Sequence, residues 1–244
     1  MLALKNEEFK VFLQPKYLLK DETIGGAEAL VRWINNGKTV STPNIFIPIF
    51  EQTRFILKFD MYMFENVCKL IRTWIDENKK LVTVSVNFSR LHFANKNFVN
   101  DLCSIADKYS VPHNLLEIEI TESAVISNIS ALEEILNELH KQNFTFSIDD
   151  FGTGYSSLGM LKDISVDVIK IDKSFFDKCE SDERARMVID SVMKMTKPLK
   201  ICTVAEGIEE KVYIDFLKKI GCDMVQGFYY SKPIPAEEFT KTKI

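Results

Sequence analysis

The chain has 244 residues, of which 46% are hydrophobic and 27% are charged, and its formal net charge is −4 at pH 7. This composition is typical of one globular domain with a sizeable core, and no linker-like stretch divides the chain. The charge leaves no broad basic surface, so we expect neither a nucleic-acid polymer nor a membrane among the contacts of this domain.

The cysteines and the hydropathy of the chain bear on its location. The five scattered cysteines form no C-x-x-C pair, which argues against a zinc or redox motif. No apolar run approaches the ~20 residues of a membrane span, and no secretion signal is present. We therefore expect reduced thiols and a cytoplasmic location, although a longer parent protein could be tethered to a membrane.

Apolar periodicity predicts strands that alternate with helices along the chain. The eight predicted strands are Phe9–Tyr17, Ile24–Trp33, Val82–Asn87, Leu116–Thr121, Phe144–Asp149, Val168–Asp172, Ile201–Glu206 and Met224–Phe228. Amphipathic helical repeats, such as the face formed by Phe64, Val67, Ile71 and Trp74, lie between most of them. This alternation predicts an α/β fold with a largely parallel sheet, and its size matches a TIM-type (β/α)8 barrel.

One connection departs from that pattern. Only residues 18–23 join the first two predicted strands, and this segment is too short for a helical crossover. These two strands should therefore be antiparallel. We predict a modified TIM-type barrel with an antiparallel first strand.

Polar side chains occur near the ends of most predicted strands, where a barrel collects its chemistry. They are Glu28 on the second strand, and Asn87, Glu119, Asp149, Asp150, Lys170, Glu206 and Gln226 on the later strands. Taken singly, an acidic residue at a strand end is usually a helix cap or a solvated loop residue. The carboxylates of this set, joined by Glu122, would repel one another on a shared rim unless cations compensate them.

The donor types indicate which cations these are. Oxygen ligands without cysteine or clustered histidine favour Mg²⁺ or Mn²⁺, with Ca²⁺ as a competitor, over zinc. The adjacent Asp149 and Asp150 suit two ions that share one bridging carboxylate. Such ion pairs catalyse phosphoryl displacement by generating hydroxide and by stabilising the entering and leaving oxygens. Lys170 could orient the attacking water or neutralise developing charge.

Two other patterns carry less weight. Gly152-Thr-Gly154 begins a dinucleotide-binding G-x-G-x-x-G pattern, but Ser157 replaces its third glycine, and the preceding aspartates would repel a pyrophosphate.

The histidines lie outside the predicted strand ends, and we expect surface or loop positions for them. They are His92, His113 and His140.

At these positions the chain resembles the EAL-domain family of cyclic-di-GMP phosphodiesterases. The triplet that names the family stands as Glu28-Ala29-Leu30, after an upstream Gln14-Pro15-Lys16. The downstream motifs are Asn87, Glu119-Ile-Thr-Glu122, Asp149-Asp150-Phe-Gly-Thr-Gly-Tyr-Ser-Ser157, Lys170-Ile-Asp172, Ala205-Glu206-Gly207 and Gln226-Gly227. Because the similarity covers nearly the whole chain, we expect residues 1–244 to form one EAL-type domain, excised from a larger multidomain signalling protein.

The resemblance implies a barrel that hydrolyses cyclic-di-GMP to linear pGpG with two Mg²⁺ or Mn²⁺ ions, and with Ca²⁺ as an inhibitory competitor. It assigns one ion to Glu28, Asn87, Glu119 and Asp149, and the second ion to Asp149, Asp150 and Glu206.

It also implies roles beyond the metal ligands. The catalytic residues would be Glu28, Lys170, Glu206 and Glu122, with Lys170 assisting the attacking water. The substrate contacts would be Gln14, Leu30, Arg32, Asp172 and Gln226, with Arg32 on a phosphate. The loop from Asp150 to Ser157, braced by Glu122, would couple the second ion to a homodimer interface.

The chain departs mildly from the family pattern. Phe50 and Arg54 stand where the family usually has alanine and glycine, in the helix predicted after the second strand. These residues bear on local packing or substrate access and not on metal binding.

Two other functions remain open. A catalytically silent effector domain would bind cyclic-di-GMP without hydrolysing it, and such a module need not retain metal ligands. A different metal-dependent phosphoesterase could use a similar barrel, because a fold alone does not fix a function.

Overall fold

Strands and helices alternate along the chain, as its periodicity predicts. The computed structural model describes residues 2–126, 129–152, 159, 161–162, 164–176 and 183–239. Most of the loop predicted to form a dimer contact, residues 153–157, lies outside the described residues, as does Cys179. Each of the other cysteines, Cys68, Cys103, Cys202 and Cys222, is a free thiol.

The described residues contain ten strands and nine α-helices with defined bounds, and residues 159, 161 and 162 are helical as well. The strands are β1 Phe9–Leu18, β2 Ile24–Asn35, β3 Lys38–Ser41, β4 Thr83–Asn87, β5 Leu116–Thr121, β6 Thr145–Phe151, β7 Val168–Ile171, β8 Cys202–Ala205, β9 Met224–Val225 and β10 Ile234–Pro235. The helices are α1 Leu2–Lys5, α2 Pro43–Gln52, α3 Ile56–Asp76, α4 Phe98–Lys108, α5 Glu122–Ile126, α6 Ile129–Lys141, α7 Glu183–Leu199, α8 Lys211–Ile220 and α9 Ala236–Phe239. Three short 3₁₀ helices cover Arg90–Ala94, His113–Leu115 and Lys173–Phe175.

Within the described ranges, eight strands close into a barrel in the order β1, β2, β4, β5, β6, β7, β8, β9. Strand β1 is antiparallel to both of its barrel neighbours, β2 and β9, whereas the other neighbouring pairs are parallel. The predicted modified barrel with a reversed first strand is therefore confirmed. Strands β3 and β10 pair with β2 and β1 outside this ring.

The second strand is longer than its predicted end at Trp33. It continues to Asn35 and turns through Asn36 and Gly37 into β3. Both turn residues have positive φ angles, 49° and 74°, which is the combination that a two-residue hairpin turn requires. The Asn-Gly pair was therefore an available hairpin signal that strand periodicity alone did not capture.

The apolar faces of the helices cover the barrel. The face of α3 that contains Phe64, Val67, Ile71 and Trp74 is fully buried, as its spacing predicts. The Trp74 ring stacks on Phe239 of α9 with ring centroids 5.6 Å apart, so the last described helix closes over the first long one. None of the helices in the described part of the chain is both long and apolar enough to cross a membrane.

A separate aromatic cluster joins β1 and β2 to the helices that follow them. The Phe50 ring lies 5.3 Å from the centroids of Phe46 and Phe59 and 4.8 Å from that of Phe55. Phe50 therefore contributes to packing, as its position in α2 predicts. Arg54 was expected in the same helix, but α2 ends at Gln52, and Arg54 lies in the following turn with a φ of 56°.

Replacing Phe50 with alanine should lower the free energy of unfolding by about 2 kcal/mol, because removal of its ring leaves a gap among five other aromatic side chains. Urea unfolding followed by circular dichroism measures this change. Ile49→Ala, in the same helix, is the matched control, because Ile49 is 52% exposed and should lose much less. Equal losses in the two variants would contradict the packing role of Phe50.

Candidate active site

The predicted polar side chains meet inside one end of the barrel, around Lys170. Its Nζ lies 2.6 Å from Glu119 Oε1, 2.9 Å from Glu206 Oε1, 3.2 Å from Asp149 Oδ1 and 3.3 Å from Glu28 Oε2. The Lys170 side chain is fully buried. We call these five side chains the carboxylate ring. The ring forms because alternate residues of a strand face the same side, so each strand end can turn one acidic residue inward.

The charge of Lys170 is fixed by its surroundings. Burial alone would lower the pKa of Lys170, but the four carboxylates outweigh burial and hold this pKa well above its ordinary value. The ammonium group is therefore charged at neutral pH. In this state it can donate hydrogen bonds and neutralise negative charge, but it cannot accept a proton as a general base.

The four acidic groups of the ring do not behave alike. Burial, reinforced by the charge of Glu28, raises the pKa of Glu119 to about 8. Burial also holds the pKa of Glu206 well above its ordinary value, despite the attraction of Lys170. For Glu28 and Asp149 the effect of burial is outweighed, chiefly by Lys170, and the pKa of each is lowered. Glu119 and Glu206 are therefore the two carboxyl groups of the ring that take up a proton more readily than an exposed carboxyl group does.

Amide side chains orient Glu28 from two sides. Asn87 Nδ2 donates a hydrogen bond of 2.9 Å to Glu28 Oε1, and Gln226 Nε2 donates one of 2.5 Å to Glu28 Oε2. Gln226 Nε2 also lies 3.2 Å from Gln14 Oε1, to which it donates. The structure thus links four predicted site residues from four different strands or strand ends.

Asp149, Asp150 and Glu206 form a second grouping at the rim. Each offers one carboxylate oxygen, and these oxygens all lie within 4.8 Å of one another. Burial, followed by the charge of Asp149, raises the pKa of Asp150. Asp150 also has a left-handed φ of 55°, and its backbone N–H donates to Asp149 Oδ1 at 2.9 Å.

The donors present fit hard divalent cations. In the part of the chain that is described, the buried Glu119 Oε2 has no hydrogen-bond partner, and Lys16 Nζ lies 3.9 Å from it. Burial of a carboxylate oxygen without a hydrogen bond is costly. The neighbouring donors are carboxylate and amide oxygens, which Mg²⁺ and Mn²⁺ prefer. A cation at this cluster would give Glu119 Oε2 a close ligand contact and reduce the repulsion among the carboxylates.

Glu122, the first residue of α5, contacts the backbone that follows the paired aspartates. It is 1% exposed, and its Oε2 accepts a hydrogen bond of 2.7 Å from the Gly152 N–H. This contact supports the start of the loop that Glu122 was expected to brace. The catalytic role of Glu122 stays a prediction.

A cavity of 430 Å³ opens beside the carboxylate ring. Its lining includes the predicted substrate contacts Gln14, Leu30, Asp172 and Gln226, together with Glu28, Glu206 and Phe228. Asp172 already has a structural contact, because its Oδ1 accepts a hydrogen bond from Ser174 N–H and caps a 3₁₀ helix.

Arg32 is the predicted substrate contact that does not line this cavity. Its Nη1 donates a 2.8 Å hydrogen bond to Val31 O, and its guanidinium group lies 5.5 Å from the Phe12 ring centroid. Burial lowers the pKa of Arg32. The contact of Arg32 with a phosphate stays a prediction.

The expectation of a surface or loop position was wrong for His92. This side chain is 3% exposed, and its Nε2 lies 3.1 Å from Oδ2 of the buried Asp60. Asp60 also accepts a hydrogen bond of 2.9 Å from the Ser89 N–H. The pair therefore fixes the segment that follows Asn87, a function that no local sequence signal around His92 indicates.

Sequence reasoning also missed a polar layer inside the barrel, below the carboxylate ring. Lys16, Ser85 and Glu117 are buried there and contact one another. A signal for one of them was present, because Glu117 precedes Glu119 by two residues on the same strand and must face the same way.

The barrel with one reversed strand and an acidic cluster at its rim defines the class of this protein. The sequence profile described as the EAL domain matches residues 1–233, and the chain belongs to the EAL domain family. The resemblance inferred from the sequence motifs is therefore confirmed.

Individual relatives agree with this assignment. The chain is 35% identical to the signaling protein YkoW of Bacillus subtilis over 97% of its residues, but it spans only 30% of that protein. It is 30% identical to the cyclic di-GMP phosphodiesterase PdeL of Escherichia coli over 98% of its residues, which is 66% of that protein. The solved structure of the PaMucR phosphodiesterase in complex with c-di-GMP has a TM-score of 0.90 and 32% identity, with 97% of this chain and 96% of that chain covered.

The raised pKa of Glu119 predicts that Mg²⁺ binding depends on pH. Below about pH 8 this carboxyl group binds a proton, which an incoming cation must displace. Mg²⁺ affinity should therefore rise by up to about tenfold per pH unit between pH 6 and 8 and level off above that range. Isothermal titration calorimetry in buffers of different ionisation enthalpy counts the released protons. A flat affinity without proton release would contradict the assignment.

Lys170→Met should lower the free energy of unfolding of the metal-free protein by about 3 kcal/mol, because the buried carboxylates lose their shared cation. Added Mg²⁺ should stabilise this variant more than the wild type. Urea unfolding with and without Mg²⁺ measures both effects. The control is Lys218→Met, which removes an exposed ion pair with Glu22 and should have little effect. Unfolding of Lys170→Met at the same urea concentration as the wild type would exclude this role.

Proposed function

We propose that this chain is a metal-dependent phosphodiesterase that hydrolyses one phosphodiester bond of cyclic-di-GMP to give linear pGpG. The observation that carries the proposal is the carboxylate ring beside a cavity of 430 Å³. Family membership supports it, as do the names of PdeL, a cyclic di-GMP phosphodiesterase, and of the PaMucR phosphodiesterase complex with c-di-GMP.

The proposed ligand sets share Asp149. Glu28, Asn87, Glu119 and Asp149 would hold the first ion, and Asp149, Asp150 and Glu206 the second. The 4.8 Å grouping of the last three supports the second set, and the lack of a hydrogen bond to Glu119 Oε2 supports the first. Bound at these oxygens, Mg²⁺ or Mn²⁺ would lower the pKa of a water molecule and stabilise the charge that develops on the attacking and leaving oxygens. Ca²⁺, which accepts more ligands in a looser geometry, would compete without supporting turnover.

Lys170 would act through its charge. Its ammonium group contacts a member of each proposed ligand set, Glu119 and Glu206, within 2.9 Å. It would therefore hold the attacking water by donation and balance negative charge as the phosphate reacts. Because its pKa is held high, Lys170 would not remove the proton from this water.

The residues that line the cavity would position the nucleotide. Gln14 and Gln226 present amide groups there, and Leu30 presents apolar surface. Arg32 would exchange its hydrogen bond to Val31 O for a phosphate oxygen of the substrate. Asp172 would contribute only the part of its carboxylate that does not cap the 3₁₀ helix.

We extend the proposal to the whole protein. Residues 1–244 would form a single domain of a longer cytoplasmic signalling protein, since the chain covers only 30% of YkoW. The domain would form a homodimer through the loop after Asp150. The hydrogen bond from Gly152 to Glu122 supports a link between this loop and the rim.

A second candidate is a module that binds cyclic-di-GMP without hydrolysing it. One observation favours it: Lys170 alone contacts all four carboxylates of the ring, so the cluster has an internal cation without added metal. The presence of every predicted metal ligand at one rim favours the phosphodiesterase.

Purified protein with Mg²⁺ or Mn²⁺ should convert cyclic-di-GMP to pGpG, as followed by liquid chromatography. Glu28→Ala should reduce turnover by about 100-fold or more, because it removes a proposed ligand that Asn87 and Gln226 hold in place. Glu210→Ala, which removes an exposed carboxylate, should leave turnover unchanged.

Other outcomes separate the alternatives. Tight binding of cyclic-di-GMP, with no product at any metal concentration or pH, would identify the silent module. Hydrolysis of cyclic mononucleotides in preference to cyclic-di-GMP would identify a different phosphoesterase.

A further inference from the structure

A second buried lysine lies inside the barrel, one layer below the carboxylate ring. Lys16 on β1 is 2% exposed, and its Nζ donates hydrogen bonds of 2.9 Å to Glu117 Oε1 and 3.0 Å to Ser85 Oγ. Glu117 is 5% exposed and lies two residues before Glu119 on β5. The barrel therefore encloses a complete ion pair that none of the site roles above uses.

The fold makes room for this lysine. Lys16 is the register partner of Gly26 in the β1–β2 pair. A Cβ atom on Gly26 would lie 3.2 Å from Thr83 O and 3.7 Å from Lys16 Cδ. The alkyl chain of Lys16 therefore runs directly beside Gly26, where the backbone of the neighbouring strand leaves little room for a larger side chain.

The buried pair is connected to the proposed site through Glu119. Its Oε1 accepts a 2.6 Å hydrogen bond from Lys170, and its Oε2 lies 3.9 Å from Lys16 Nζ. This Oε2 is one of the buried side-chain atoms that have no hydrogen-bond partner among the described residues. Two buried ammonium groups therefore face the carboxyl group of Glu119, one at each oxygen.

We propose that Lys16 is a positioning residue that fixes the orientation of the Glu119 carboxylate before a divalent cation binds. Glu117 and Ser85 hold the Lys16 ammonium, and Lys16 and Lys170 together fix the plane of the Glu119 carboxylate. Because Glu117 balances the charge of Lys16, the pair adds orientation without changing the net charge near the ligands. The inference rests on the proposed metal-dependent function.

The test replaces the pair by an apolar one, Lys16→Met with Glu117→Leu. Removing both charges avoids an unpaired buried ion, so the double variant should unfold at a urea concentration no lower than the wild type. Loss of a group that orients a metal ligand typically weakens metal binding by about 10- to 100-fold. We expect a loss of this size for Mg²⁺ by calorimetry and for Mn²⁺ by electron paramagnetic resonance.

The control is Lys197→Met, which removes an ammonium group that lies 2.7 Å from Asp223 on an exposed part of the surface. It should leave the affinity for both ions unchanged. A double variant that is stable and binds Mg²⁺ as tightly as the wild type would show that the pair is merely structural and would overturn the inference. Absence of ion binding by the wild type would overturn it as well.

If the double variant fails to fold, Ser85→Ala takes its place, since it removes one hydrogen bond of Lys16 and keeps both charges. A smaller loss of Mg²⁺ affinity is then expected, and an unchanged affinity would overturn the inference. Ion binding is measured without nucleotide. A wild-type protein that binds Mg²⁺ but does not hydrolyse cyclic-di-GMP would therefore refute the proposed function while the positioning role is still decided by calorimetry.

Discussion

Four carboxyl groups contact one buried ammonium group, that of Lys170, inside this barrel. The need to compensate their negative charge constrains which residues can surround them. Like charges can be buried together only if cations or protons offset them. Lys170 supplies a cation, and burial raises the pKa values of Glu119 and Glu206, which favours proton uptake by both groups. The closed strand order brings these groups together, and the reversed strand β1 adds the side chains of Gln14 and Lys16 to the interior.

The same oxygen atoms serve two states of the protein. Without divalent cations, they surround Lys170, and the raised pKa of Glu119 favours its protonated form. In the proposed loaded state they would ligate ions, so protons must leave and the contacts of Lys170 must weaken. The contacts that stabilise the metal-free site must therefore weaken when metal binds, and this cost lowers the affinity for metal. Glu28 and Asp149, whose pKa values are lowered, are ionised in both states and provide the constant part of the ligand set.

Much of the architecture could be predicted from the sequence because it depends on local patterns. The short segment 18–23 between two strands requires a reversed first strand, and acidic residues at strand ends indicate the rim. Contacts that depend on register or on distant partners could not be predicted. The pairing of Lys16 with Glu117 spans 101 positions, and the burial of His92 depends on Asp60, 32 positions away. The hydrogen bond of Arg32 to Val31 depends on the side-chain rotamer of Arg32, which the periodicity of the sequence does not specify.

The reversed strand also determines where the chain enters the domain. In a regular (β/α)8 barrel, the first strand begins at the face opposite the catalytic rim. Here Phe9, the first residue of β1, pairs with Trp33, which follows Leu30 and Arg32 toward the rim end of β2. Phe9 and α1 also pack with α2 and α3 in the aromatic cluster. The residues that precede β1 therefore contact the barrel on the same face as the carboxylate ring. Packed side chains, and not the length of the barrel, lie between this segment and the cavity.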